Sequence, residues 1–162
     1  MKHISTPLLL LLFHFLLIGC EKEIIDEKKE KTTEGTEISI IDDEKQENAL
    51  TVAQAQLVED GTPIVIKAYI VASTTRSINN ADFEAPFSGS SAIVVADVPD
   101  SLVQDRNQLF PICLTDRSKA RAALNLEDNP DIWNHIVFLS GTKERYMGMD
   151  GMKKVNDWNI IP

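Results

Sequence analysis

Pro63-Ile-Val-Ile-Lys-Ala-Tyr-Ile-Val-Ala72 is the stretch whose reading decides the fold. Ile64, Ile66, Ala68 and Ile70 alternate with Val65, Lys67, Tyr69 and Val71. A period of two in a run of β-branched residues predicts a strand with one face on a core. Downstream, Ser91 to Asp97 (SAIVVAD) and Leu109 to Leu114 read the same way. Pro111 removes a ladder donor from the third run and so predicts an edge or bulge position there. Asp116 is placed to cap a helix over Arg117 to Leu126, whose apolar stripe is Ala120, Ala123 and Leu124, and Asn129-Pro130 stops it. His135 to Tyr146 and Met149 to Trp158 complete the set as two strands joined by a turn around Gly148 and Asp150-Gly151. Five strands with a helix between the third and fourth is the order of the OB fold, a partly open Greek-key barrel, so the fold class expected is mainly β and OB-fold-like. Parallel-sheet alternatives need crossovers that this chain lacks.

Upstream of the first strand, Thr51-Val-Ala-Gln54 is a capping-box pattern opening a short amphipathic helix over Val52, Ala55, Leu57 and Val58, with Gly61 placed to end it. Further back, Glu21 to Glu47 carries eleven acids against five lysines and no aromatic residue. Such a segment buries too little apolar area to offset its ordering entropy. A disordered tether is therefore expected over 20–47, with a root-mean-square span of roughly 30 Å. The alternative is that Ile38, Ile40 and Ile41 add a strand to something. One folded domain, 48–162, remains.

The chain opens with Met1-Lys2-His3 and then Leu8 to Ile18, apolar except for His14. That run has the length of a signal-peptide core and is too short to span a bilayer as a helix, so 1–19 is expected to be an export signal. Leu17-Ile18-Gly19-Cys20 resembles the lipobox of bacterial lipoproteins, which implies that Cys20 is lipidated and anchors the chain to a membrane, each buried CH₂ contributing roughly 0.8 kcal/mol. Cys113 is then the remaining cysteine and a disulfide scaffold is excluded. In its apolar surroundings Cys113 reads as an inert thiol. The net charge is −9, and losing Lys2 with the signal makes it −10. An acidic chain repels phosphate backbones, which lowers the expectation of nucleic-acid binding without abolishing it.

Several stretches together resemble one family. They are Leu50-Thr-Val-Ala-Gln-Ala before Gly61-Thr-Pro, Lys67-Ala-Tyr-Ile-Val71, Ile93-Val-Val-Ala-Asp97, Pro111-Ile-Cys-Leu114, Arg121-Ala-Ala-Leu-Asn-Leu126 and Gly141 to Lys153. The family is that of exported Bacteroidota lipoproteins with an OB-fold-like domain of unknown function. The resemblance covers Leu50 to about Trp158 and implies a fold and an address but no activity. One departure is Ala68, where a glycine is expected before the aromatic, so the first strand is expected to bend less. Glu21-Lys22-Glu23 is similar to the acidic signal that implies export to the outer face of the outer membrane.

Residues for catalysis are sparse. Beyond the signal there is one histidine, His135, and nothing in the spacing brings it to Ser140 or Cys113 as a nucleophile's base. No enzyme and no cofactor are expected. Glu127, Asp128 and Asp131 read as solvated charges at a helix end before they read as a calcium site. Gly148 to Lys153 lacks the helix that a phosphate loop needs and reads as a hairpin.

What remains are two connections expected at one end of the barrel. Ser73 to Ser90 is long for a compact domain and carries Arg76, Asn79, Asn80, Phe83 and Phe87, a set able to stack on a flat ligand and bond its edge. The other connection carries Arg145, Tyr146 and Met147, and Lys143, Arg145, Lys153 and Lys154 form a basic ribbon able to hold an anionic group. The alternatives are that the lysines protect sheet edges and that Phe83 and Phe87 fold the loop back onto the barrel. The expected function is a non-catalytic, membrane-anchored module binding a glycan, a peptide or another envelope protein. The alternatives are a single-stranded nucleic-acid binder stacking bases on Tyr146, Phe83 or Phe87, or a structural subunit of an envelope assembly.

Overall fold

The computed structural model describes residues 41–162, and all of them fall in one compact unit. Cys20, the expected export signal and the part of the expected tether up to residue 40 lie outside the described residues. The architecture is mainly β. Five strands, β1 (Pro63–Thr74), β2 (Ala92–Ala96), β3 (Phe110–Cys113), β4 (Ile136–Tyr146) and β5 (Met149–Ile161), form one sheet that closes on itself in the order β1-β2-β3-β5-β4. Three short helices accompany it: α1 (Asp43–Glu47), α2 (Val52–Ala55) and α3 (Lys119–Leu124), the last between β3 and β4.

β1 is shared by two partners, which is how so short a chain closes a ring. Its first half pairs antiparallel with β4, from Pro63↔Thr142 to Tyr69↔Ile136, and its second half pairs with β2, from Tyr69↔Ala96 to Thr74↔Ala92. The register slips between Ile70 and Ala72. The bend expected to be weak at Ala68 is thus supplied by a bulge around Val71, since an extra residue kinks a strand and raises its twist.

The other closure is the parallel contact of β3 with β5 at Ile112↔Met152. Leu114 N–H donates to Ser91 C=O, and antiparallel alternation then turns the Pro111 nitrogen away from β2 and toward this seam. A proline costs least there, because the β3–β5 ladder is too short to need the missing donor. Two glycines let the backbones approach. A Cβ on Gly151 would lie 2.5 Å from Pro111 C=O, and one on Gly141 would lie 2.9 Å from Lys153 C=O.

The barrel interior is filled by Ile66, Ala68, Ile70, Ile93, Val95, Phe110, Ile112, Val137, Leu139 and Met152, joined by Val52 and Ala55 from α2 and by Ala120 and Leu124 from α3. A second apolar cluster lies on the outer side. Val71, Ala72, Val94 and Ala96 are fully buried there with Ile78 and Leu109, and partly buried Ala81, Phe83, Val103 and Met149 pack on them. β2 is therefore buried on both faces, which is why Ala92–Ala96 (AIVVA) is apolar throughout while the first half of β1 alternates.

Local boundaries differ from the sequence reading at several points. Residues 41–47, expected to belong to the tether, form α1 and its entry, and Ile41 is fully buried. Asp42 caps α1 by accepting from Lys45 N–H at 2.9 Å. α3 is capped by Ser118, whose Oγ accepts from Arg121 N–H at 3.0 Å, and not by Asp116. Arg117 has φ of 56°, a left-handed conformation that no helix interior tolerates, so the helix starts after it. The expected capping box of α2 is present, but the helix stops at Ala55. The β4–β5 turn is confined to Met147 and Gly148, both at positive φ (53° and 84°), as a two-residue primed turn requires. Asp150 and Gly151, expected in that turn, belong to β5.

Candidate functional site

The β1–β2 connection is not an open loop. Thr74 Oγ1 donates to Ser77 C=O at 2.7 Å, Ser77 caps a 3₁₀ turn over Ile78–Asn80, and the chain then runs back alongside β1 through paired backbone bonds between Ser73 and Asp82. Ile78 is driven into the outer cluster. The connection is therefore a cover on the β1–β2 face.

The five residues expected to meet a ligand in this connection separate. Phe87 is 9% exposed, belongs to the interior cluster and packs against Trp133 at 5.8 Å between ring centroids, tilted by 59°. It is a core residue and not a stacking platform, because the loop needs an apolar anchor at its far end. Phe83 is half-buried on the outer cluster and lines a surface cleft. Asn79 is exposed and accepts from the Arg106 guanidinium, which ties this connection to the one between β2 and β3. Arg76 and Asn80 are exposed, and Arg76 has φ of 64°.

The expected basic ribbon is not a ribbon. Lys143 is 4% exposed, and its Nζ donates to Asp60 Oδ1 and to Asp150 Oδ1, each at 2.6 Å. Lys153 and Lys154 both reach Glu144, each at 3.1 Å. They do so because β5 is bulged: Thr142 pairs with Lys153 but Ser140 with Asp157, and Lys154 takes φ of 53°. Their hydrogen bonds hold the Glu144 carboxyl below its usual range. Arg145 is exposed and donates to Gly148 C=O at 2.8 Å, closing its own turn. Of the four, Arg145 keeps its charge toward solvent without an acidic partner, and the ribbon expected to hold an anion is otherwise spent on structure. Sequence spacing put the three lysines and Arg145 side by side; register and the bulge, which spacing does not reveal, redirect them.

Tyr146 is half-buried against Cys113, which is a free thiol. Burial first, then the charge and hydrogen bonding of Cys113, push the Tyr146 phenol up to about 12. For Lys143, burial pulls the ammonium pKa down, but the hydrogen bonds and charges of Asp150 and Asp60 outweigh it and the net direction is up. Both shifts act with the same sign. Each group is held in its protonated form by the fold, so its contribution is complete below the value of the free side chain, near pH 10, and is lost as pH rises through the folded value. The midpoint of urea unfolding is therefore expected to fall steeply between about pH 10 and about pH 12, and Tyr146→Phe is expected to remove part of the fall. A flat profile across that range contradicts these assignments.

The cleft that Phe83 lines has a volume of about 440 Å³, and its other walls are Ala81, Asp82, Glu84, Asp100 and Trp133. Trp133 is held there by its Nε1–H, which donates to Val71 C=O at 3.0 Å. Sequence reasoning missed Trp133, Asp82, Glu84 and Asp100. The signal available was the aromatic–acid alternation Asp82-Phe83-Glu84, but Asp100 and Trp133 reach it only through the fold. Glu127, Asp128 and Asp131 do not come together as a metal site, and no group of three His, Cys, Asp or Glu side chains able to hold a metal occurs among the described residues.

Asp97, at the end of β2, accepts from Val52 N–H at 2.6 Å and Ala53 N–H at 3.0 Å, so its carboxylate caps α2 from another part of the chain. Asp97, the last residue of the Ile93–Asp97 stretch that carries part of the family resemblance, thus has a structural reason.

No curated protein matches the chain. Among solved structures, the hypothetical protein ygiW from E. coli is similar at 11% identity and a TM-score of 0.42, covering 70% of this chain and 89% of that one. Residues 50–161, from the bridge residue Leu50 to the last residue of β5, match the profile of a domain of unknown function, DUF6359, and the chain belongs to that family.

Proposed function

We propose that this chain is a lipid-anchored envelope lipoprotein, attached through Cys20 and exposed at the outer-membrane surface, whose OB-fold-like barrel is a non-catalytic module that binds a glycan, a peptide or another envelope protein. The observation that carries the reading is the closed order β1-β2-β3-β5-β4 with parallel contact of β3 and β5, which is the connectivity of an OB fold. OB folds take their ligands over strands 2 and 3, between the first-to-second and fourth-to-fifth connections. Here Met149, at the exit of the β4–β5 turn, packs on the same outer cluster as Ile78 and Phe83. The two connections flank one face, and the chain's own side chains fill its middle. Ligands therefore meet the rim.

The nucleic-acid alternative is weakened by the same geometry. It needs a basic track and exposed rings, whereas Lys143, Lys153 and Lys154 are paired with acids and Phe87 is in the core. A panel of glycans, peptides and oligonucleotides offered to the purified chain tests the proposal. Binding is expected to a glycan or to a peptide, with His135→Ala unchanged. Salt-dependent oligonucleotide binding weakened by Arg145→Ala supports the alternative, and turnover of a substrate lost in His135→Ala overturns the non-catalytic reading.

A further inference from the structure

We infer that the cleft between Phe83 and Trp133 takes an arginine side chain of a partner protein. This deepens the reading of the chain as a binding module and rests on it.

Three independent features converge on that occupant. The first is charge. Asp42, Asp60, Asp116, Glu144 and Asp150 each face a lysine or arginine within 4 Å. Several acids among the described residues lack such a partner, and three of them, Asp82, Glu84 and Asp100, line this one cleft. The second is preparation. Asp82 Oδ2 accepts from Ser88 N–H at 2.9 Å and from Ser88 Oγ–H at 2.6 Å, Asp100 accepts from the Asn134 side chain, and Trp133 is fixed by Val71 and by Phe87. Asp82, Asp100 and Trp133 are thus held in place before anything binds, which lowers the entropic cost of binding. The third is the pairing of rings with carboxylates. A guanidinium stacks flat on an aromatic ring while its fork bonds carboxylate oxygens, and it sheds water more readily than an ammonium, so arginine fits this combination better than lysine. A metal ion does not use the rings, and the acids here are not gathered as metal ligands.

The test uses the full chain, purified in detergent, with the Trp133 indole N–H followed by NMR. The probes are acetyl-Gly-Arg-Gly-amide and the same peptide with citrulline, which keeps shape and loses charge. The arginine peptide is expected to move the Trp133 signal saturably, the citrulline peptide to bind at least about fivefold more weakly, and Glu84→Gln to weaken the arginine peptide by about three- to fivefold. Glu84 is exposed and holds no structural contact, so its loss leaves folding unchanged. Equal response to both peptides, or an unchanged affinity in Glu84→Gln, overturns the assignment. If a partner found in the ligand panel binds wild type and Glu84→Gln equally, the cleft assignment falls while the module reading stands. A panel without any ligand removes the module reading itself.

Discussion

Gly151→Ala is expected to lower stability by about 3 kcal/mol and to loosen the ring at its seam. The added methyl carbon would sit 2.5 Å from Pro111 C=O and 3.2 Å from both the Pro111 ring and the Tyr146 Cβ. Two of these are rigid: a backbone carbonyl and a proline. The strain cannot be relieved by a rotamer change, so β3 and β5 must separate at Ile112↔Met152, the pairing that closes the sheet. Hydrogen exchange of the Cys113 and Met152 amides, which face the seam, is expected to speed up more than that of the β1–β4 ladder. Gly148→Ala is the control. Its Cβ meets nothing within 4 Å, and its cost is that of a left-handed conformation alone, about 1 kcal/mol. Equal effects of the two substitutions contradict the seam.

Lys143→Ala is expected to cost about 2–3 kcal/mol, less than a fully buried pair because Asp60 and Asp150 keep 51% and 33% of their side chains exposed. The cost arises because two carboxylates are left facing each other across the space of one ammonium. The backbone explains why that ammonium sits there. Gly61 N–H donates to Lys143 C=O at 2.7 Å and Lys143 N–H donates to Thr62 C=O at 2.9 Å, so the entry to β1 is stitched to β4 at this residue. The triple variant with Asp60→Asn and Asp150→Asn is expected to recover part of the loss, a coupling that urea melts of the single, double and triple variants measure. A loss of ligand binding with unchanged stability in Lys143→Ala would restore its reading as a contact residue.

The mainly β, five-stranded fold was legible because it depends on periodicity. Ile64 to Ile70 alternate for a physical reason, a core on one side and solvent or loop on the other, and that pattern survives in the sequence. The OB-like strand order followed from counting strands around one helix. The second buried layer was not legible: Val94 and Ala96 show only that both faces are dry, not which segment covers them. Helix boundaries failed where a single backbone angle decides, as at Arg117. Ile41, named in the sequence reading only as a residue that could add a strand, is buried without forming one, and the acidic composition averaged over 21–47 outweighed it. The candidate site was legible in part. The long connection and Phe83 were found, whereas Phe87 was drawn into the core by Trp133, and Lys143, Lys153 and Lys154 were claimed by acids that lie near them only after register and bulge are set. A charge is visible in a sequence; its partner, when supplied by another strand, is not.

The claim on which the functional account rests is that this barrel is held at a membrane by acyl chains on Cys20. The intact mass of the chain purified from the envelope of its own cells tests it most directly. The account predicts a chain beginning at Cys20, heavier than residues 20–162 by a diacylglyceryl group. A chain that keeps residues 1–19, or that begins elsewhere with an unmodified cysteine, contradicts it.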